Sequence, residues 1–371
     1  MHIAWLGKKS PFCGNVTYSR EITSALLARG YKVSFLHFSQ EGEDSSFDVY
    51  NAEVNLPFIY KSQIYTIPAP NSSQILLKSL QELKPDLVHA SLTLSPLDFK
   101  LPEICQQLNL PLVATFHPPF DSHWRNFKSS TQYLTYQLYA PSLARYDCTI
   151  IFSQLQRDLL LKLGVPKEKL AIIPNGVDTE KYQPGKSYFK QNFSHHRLFI
   201  YQGRVAVEKN LESLLKAWKY LAMKRHSRLL IVGDGHLTPT LKPNYGEEDG
   251  IIWLGVISDE AKRIDILRGA DVFILPSLVE GLSLSLLEGM ACGLACVATD
   301  AGADGEALTE AGIILSTQGV TTQLKTILPL FQHHPELVQL LGKKAREKVL
   351  AKYTLSDNVT KLEKLYKTFF T

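Results

Sequence analysis

Short apolar runs separated by amphipathic stretches set the rhythm of the chain. Runs at 2–7, 32–38, 86–90, 111–117 and 148–153 read as buried strands. Between the first two, residues 16–29 have helical spacing and stop at Gly30, where a helix C-terminus favours glycine. This alternation predicts a doubly wound parallel sheet, which binds ligands beyond the carboxyl ends of its strands. A second series of runs follows at 198–202, 228–232, 251–254, 272–275, 295–299 and 312–315. The last segment, 355–370, places Val359, Leu362, Leu365, Tyr366 and Phe369 at helical spacing with lysines between them.

At 371 residues the chain is too long for one ordinary core and suits two domains. Pro184-Gly185 and its polar neighbours read as a linker, giving an α/β protein with domains at 1–178 and 198–354, a linker at 179–197 and a terminal segment at 355–371. The composition, 45% hydrophobic and 20% charged, is that of a globular protein. A net charge of +4 falls well short of what nucleic acid calls for, so no nucleic-acid partner is expected. Mild basicity is compatible with an anionic membrane face. The five cysteines, Cys13, Cys105, Cys148, Cys292 and Cys296, include no C-x-x-C pair, which argues against a zinc site or a disulfide framework and for a reducing compartment. The start of the chain lacks the apolar core of a signal peptide, and no run approaches the roughly 18 apolar residues of a membrane span. A cytoplasmic protein is expected, soluble or peripheral on the cytoplasmic membrane face.

Candidate chemistry concentrates in 269–306. Glu280 follows a strand ended by Pro276, and Glu288 lies eight positions later. With a helix starting near Ser283, Glu280 sits at its mouth and Glu288 more than a turn inside, so the two carboxylates have different tasks. Free backbone N–H groups of Leu282, Ser283 and Leu284 at that mouth would suit a phosphate, and Glu288 would suit neighbouring ribose hydroxyls. Both glutamates are equally readable as helix-start residues favoured by the dipole.

Arg204 and Lys209 stand five apart at a strand end before a helix, a planar fork and a point charge side by side. The other reading is a solvated cluster with Glu208. The chain contains no Asp-x-Asp, so no metal is expected. In the first half, the loop KKSPFCGN brings Gly14 to a helix start, either as a close approach to a diphosphate or as an ordinary surface turn. His117 stands at the carboxyl edge of a strand, as a functional or a structural histidine. Residues 122–146 carry no acidic side chain but hold His123, Trp124, Arg125, Phe127, Lys128, Tyr133, Tyr136, Tyr139 and Arg145. That segment reads either as a membrane-interface helix or as a core-facing helix interrupted at Pro141.

Four segments, IIPNGVD (172–178), YQGRVAVEKN (201–210), IVGDGH (231–236) and the Glu280-x7-Glu288 stretch, match in order and spacing the family-4-type retaining glycosyltransferases. The resemblance covers nearly the whole chain. It implies the GT-B fold, two Rossmann-like domains facing across a cleft with the C-terminal helix crossing back to the first, and a nucleotide-sugar donor. It puts Arg204 and Lys209 on the diphosphate in place of a metal, Glu280 against the sugar hydroxyls, Glu288 on the ribose and His117 in the cleft. Base contact would come from the backbone around Val256 and Ile257, and Gly233 would give close access near Asp234. Gly14, Gly281, Leu282 and Ser283 complete the expected donor site; Cys13-Gly14 replaces the family's usual two glycines.

Retention in this family has no agreed side-chain nucleophile; attack on the face the phosphate leaves, with that phosphate as base and His117 orienting the sugar, fits best. KSQIYTIPAP, LVHASLTLSPLDF and ATFHPPFDS are similar to bacterial-type digalactosyldiacylglycerol synthases. That narrower likeness implies galactose transfer from UDP-galactose to monogalactosyldiacylglycerol. A transferase with a soluble sugar acceptor, a same-fold epimerase and a catalytically silent nucleotide-sugar sensor are the alternatives.

Overall fold

The computed structural model describes residues 1–10, 14–38, 50–62, 65–119, 127–193 and 196–370, with the side chains of 127–131 also outside the description. Contacts divide the chain into two compact units. One holds most of the chain up to Asn175 together with the segment from Leu355 onward; the other holds Gly176–Thr354.

The first unit is built on strands β1 (His2–Lys8), β2 (Lys32–Phe38), β3 (Ala52–Asn55), β4 (Phe58–Lys61), β5 (Thr66–Pro68), β6 (Leu87–Ser91), β7 (Leu112–Thr115), β8 (Cys148–Ile151) and β9 (Leu170–Ile172). Seven of them form one sheet in the order β3-β2-β1-β6-β7-β8-β9, and β4 pairs with β5. Every pairing in the large sheet is parallel. Strand order reverses between β1 and β6, the place where open sheets of this type part to admit a ligand. The central strands β1 and β6 are buried along almost their whole length, His89 and Ser91 included, as strands of a parallel sheet covered on both faces are.

The helix Leu355–Lys367 belongs to this unit. Its Val359, Leu362 and Tyr366 are fully buried. Arg29, just past the end of the helix Gly14–Ala28, clamps it, donating to Glu363 Oε2 at 2.6 Å and to the Ser356 carbonyl at 2.9 Å. Tyr366 OH reaches His89 Nδ1 in the sheet.

The helix expected to break at Pro141 instead runs unbroken over Phe127–Leu143. A proline removes one backbone bond, here to the carbonyl of Gln137, and both Gln137 and Pro141 are exposed, so water can satisfy that carbonyl. Tyr136 and Tyr139 point inward and are buried, bonding the Pro118 carbonyl and Asp98. Leu134 and Leu138 point outward, 62% and 61% exposed. The tyrosines therefore match the core-facing reading, while Leu134 and Leu138 face away from the core. His123, Trp124 and Arg125, and the side chains of Phe127 and Lys128, lie outside the described residues.

The second unit is a six-stranded parallel sheet of β10 (Arg197–Gln202), β11 (Ser227–Val232), β12 (Ile251–Gly255), β13 (Val272–Leu275), β14 (Ala295–Thr299) and β15 (Ile313–Leu315), in the order β12-β11-β10-β13-β14-β15. Helix Leu211–Tyr220 shows why its segment is helical. Leu211, Leu214, Leu215 and Trp218 recur at helical spacing and are all buried, with Trp218 edge-on to Phe199 at 5.2 Å.

Residues 179–193, expected in a linker, are packed onto this unit instead. Asp265 accepts the Tyr188 and Phe189 amides at 2.8 and 2.9 Å, and Lys190 pairs with Asp271 at 2.6 Å. A Pro-Gly pair marks a turn, and these polar anchors, distant in sequence, hold the turn down.

Candidate functional site

Strand order in the second unit reverses between β10 and β13, which are neighbours. The loop after β10 carries Arg204 and Lys209; the loop after β13 carries Glu280. Two bonds stitch the loops together: the Leu278 amide donates to the Glu208 carbonyl at 2.8 Å, and Asn210 Nδ2 donates to the Pro276 carbonyl at 3.1 Å. Asn210 has a positive φ of 50°, which asparagine tolerates well, and so turns the chain from the short helical turn Val207–Lys209 into the next helix.

The outcome is that Lys209 Nζ meets Glu280 Oε1 at 2.5 Å, with only 15% and 9% of the side chains exposed. Arg204 Nη2 lies 2.9 Å from Glu208 Oε1 and is more open, 39% exposed. The expected solvated contact with Glu208 is thus present alongside the deeper Lys209–Glu280 pair. Arg204 is steadied from behind, because buried Tyr201 OH donates to its carbonyl.

Ser283 caps the helix Leu284–Ala291, its hydroxyl accepting the Leu286 amide. The expectation of free amides at this mouth needs correction at Ser283. Its N–H donates to Asp304 Oδ1 at 2.8 Å, because the turn after β14 inserts a carboxyl there.

Glu288, one turn further in, has surroundings unlike those of Glu280. Gln202 Nε2 donates to its Oε2 at 2.5 Å, and burial pushes its carboxyl up against the opposing pull of Arg263, Gln202 and Tyr182. Arg263 Nη2 in turn donates to Tyr182 OH at 2.9 Å. Helix position foreshadowed separate environments for the two carboxylates. Gln202, Tyr182, Arg263 and Asp304 were not singled out. Gln202 is the one with a local signal, standing at a strand's carboxyl end beside the Arg204 motif.

Val256 is exposed and Ile257 half-buried, both just past β12; Arg263 approaches the Ile257 carbonyl at 3.4 Å. Gly233 has a φ of 122°, and a Cβ there would come within 2.0 Å of the Gly203 carbonyl oxygen. Its observed use is therefore to let the loops after β10 and β11 touch. Gly281 and Leu282 complete the loop between Glu280 and Ser283.

In the first unit, Gly14 starts the helix Gly14–Ala28 beyond β1, with open space where a Cβ would be. His117 lies just past β7 and is half-buried. Its tautomer follows from its partners. Asn15 Nδ2 donates to the Leu92 carbonyl at 3.0 Å, which leaves Asn15 Oδ1 to accept the Ser91 hydroxyl at 2.6 Å. The Ser91 oxygen, its proton committed, can only accept from His117 Nε2 at 2.9 Å. Nε2 thus carries the proton and Nδ1 keeps a lone pair. Burial, helped by Lys8, pushes the His117 pKa down to about 3, so the ring is neutral at ordinary pH. Tyr18 packs edge-on against it at 4.8 Å.

Ser91→Ala should let both tautomers of His117 coexist. Nitrogen-15 imidazole shifts will then move from a single Nε2–H form toward an average, at a stability cost of about 1–3 kcal/mol for the stranded donor. An unchanged Nε2–H signature in the variant would show that Ser91 does not set the tautomer.

Among the described residues, no group of three His, Cys, Asp or Glu side chains is placed to hold a metal ion. No helix among them is long and apolar enough to cross a membrane.

Residues 13–181 match the model for Glycosyltransferase Family 4, and residues 196–333 match the model for Glycosyl transferases group 1. The chain is 28% identical over 220 residues to the UDP-Gal:alpha-D-GlcNAc-diphosphoundecaprenol alpha-1,3-galactosyltransferase of Escherichia coli, a match covering 55% of this chain and 56% of that protein. It is 26% identical over 309 residues to a sulfoquinovosyl transferase of Arabidopsis thaliana, covering 77% of this chain and 57% of the relative. These matches thus span little more than half the length of each relative.

Among solved structures, sucrose-phosphate synthase from Thermosynechococcus elongatus superposes with a TM-score of 0.79 at 20% identity, covering 100% of this chain and 99% of that one. Anabaena HepE in complex with UDP-glucose also gives 0.79, at 16% identity, covering 99% of this chain and 100% of that one. The fold is the GT-B fold, and residues 13–181 and 196–333 of this chain are glycosyltransferase domains of the family 4 and group 1 types.

Proposed function

We propose that this protein is a retaining glycosyltransferase that moves a hexose from a nucleoside diphosphate sugar to a glycolipid. UDP-galactose is the first candidate donor and monogalactosyldiacylglycerol the first candidate acceptor. The observation that carries the reading is the Lys209–Glu280 pair at the switch point of the second sheet, with Arg204 on the same loop.

A sugar leaving a diphosphate builds negative charge on the departing phosphate. Arg204 can fork two of its oxygens, Lys209 adds a fixed charge, and Glu280 accepts hydroxyls of the sugar. Glu288, held by Gln202, receives the ribose hydroxyls, and the backbone at Val256 and Ile257 meets the base. In this reading Gly14, at the helix start after β1, is the residue of the first unit that would approach the diphosphate. In the reaction the bond from the anomeric carbon to the phosphate oxygen breaks and a bond to the acceptor oxygen forms on the same face. The acceptor's proton goes to the departing phosphate. A neutral His117 offers Nδ1 as an acceptor to a sugar hydroxyl, an orienting part rather than that of a general base.

UDP-sugar use is supported by the name of the Escherichia coli relative and by the UDP-glucose complex of HepE. The sulfoquinovosyl and diphosphoundecaprenol names of the relatives agree loosely with a lipid acceptor. The exposed Leu134 and Leu138, with Arg145 exposed just past the end of the same helix, support peripheral contact with an anionic membrane surface.

Purified protein is to be incubated with UDP-, GDP- and ADP-sugars, with and without galactolipid vesicles, and release of nucleoside diphosphate and new glycolipid followed. Galactose transfer to the lipid is expected, and it should persist in EDTA because two fixed cations stand where a metal would act. Transfer only to soluble sugars would move the acceptor into water, interconversion of the donor would indicate an epimerase, and tight binding without turnover a sensor. Activity abolished by EDTA and restored by magnesium or manganese would overturn the metal-free mechanism.

A further inference from the structure

Behind the Glu280 loop lies a carboxylic acid that the mechanism above does not use. Asp304 is fully buried; its Oδ1 accepts the Ser283 amide, and its Oδ2 has no hydrogen-bond partner. The turn that carries it is pressed onto the same loop. The Ala303 amide donates to the Gly281 carbonyl at 2.6 Å. Gly302, at a φ of 58°, brings its backbone so near that a Cβ would lie 2.1 Å from the Glu280 carbonyl oxygen and 2.5 Å from that of Gly281. The loop carrying Glu280 is therefore gripped at consecutive points, at 280–281 by Gly302 and Ala303 and at 283 by Asp304.

We infer that Asp304 is a positioning residue for transfer, an uncharged acceptor that fixes the Glu280–Ser283 loop through the Ser283 amide and so holds Glu280 at Lys209. The inference rests on the donor role given to Glu280 above. Two observations bear on the uncharged state. Lys209 is already matched by Glu280, so an ionised Asp304 would be a buried charge without a counter-ion of its own. Burial, with Glu280 nearby, also pushes the Asp304 carboxyl well above the usual carboxylate range. An amide in its place would keep both the acceptor oxygen and the neutrality.

The test compares Asp304→Asn with Asp304→Ala by hydrogen exchange over 278–290 and by donor turnover. In Asp304→Ala the Ser283 amide should exchange about tenfold faster, with the rest of the second unit unaffected. Its kcat should fall about a hundredfold, the scale of a displaced reacting group, while KM for the donor stays close to wild type. Asp304→Asn should match the wild-type protein on both counts. Should Asp304→Ala fail to fold, Ser283→Pro removes the same N–H from the other side, at a φ of −74° that proline accepts, and should show the same loss of kcat.

Slow exchange and full turnover in Asp304→Ala, or equal loss in Asp304→Asn, would overturn the inference. The exchange measurement needs no donor, so failure of the transfer reading would show separately, as absent turnover in the wild-type protein.

Discussion

Lys209→Ala is expected to lower kcat by a factor of about a hundred to a thousand, or roughly 2.7 to 4 kcal/mol of transition-state stabilisation, the cost of removing one donor aimed at a developing oxyanion. The reason is positional. Lys209 is mostly buried and fixed by a carboxylate, so its charge is already in place when the phosphate leaves. Arg204→Ala should cost at the lower end of that range, because Arg204 is more exposed and water can partly replace it. Both losses should fall on kcat more than on KM, since the charge they meet grows during bond breaking. Near-normal rates in both variants would show that the diphosphate lies elsewhere. An added consequence is that removing Lys209 leaves Glu280 buried without its partner, so Lys209→Gln, which keeps a donor, is the better-folded control.

The second large effect separates the two carboxylates. Glu288→Ala should weaken UDP binding by roughly tenfold to a hundredfold, the worth of hydrogen bonds to a charged acceptor of about 1.5 to 3 kcal/mol. Glu280→Ala should leave UDP affinity near wild type and abolish most transfer. The different settings argue for this division: Glu280 stands at Lys209 on the loop, and Glu288 stands one helical turn deeper among Gln202, Tyr182 and Arg263. Titration calorimetry with UDP on both variants distinguishes them. Equal weakening by both would mean that the two carboxylates share one ligand group.

Hydrophobic patterning made most of the central strands legible. β2, β13 and β14 have the expected limits because each is mostly apolar and buried over all or nearly all of its length. The short outer strands of the first unit were not legible. β3, the β4–β5 hairpin and β9 are three or four residues long and only partly buried, so they carry little apolar signal. The C-terminal helix showed its apolar stripe plainly, and its place in the first unit came only through family resemblance.

The candidate site divides in a similar way. Arg204, Lys209, Glu280 and Glu288 could be singled out through motifs local in sequence. Gln202 lies 86 positions from Glu288, and Asp304 lies 21 from Ser283; neither pairing has a local period. Such contacts exist because β10 lies beside β13 and β13 beside β14, and sheet order is not written in any one segment. Pro141 misled for a physical reason: its cost in a helix depends on whether the freed carbonyl reaches water, and here the outer face does.

The most direct test of the account is a crystal structure of the protein with UDP bound, grown in the presence of EDTA. The account predicts the diphosphate against Arg204 and Lys209 beyond the carboxyl ends of β10 and β13, with the ribose hydroxyls on Glu288 and no ion between phosphate and protein. UDP bound away from these residues, or bound only once a divalent ion is restored, would contradict it.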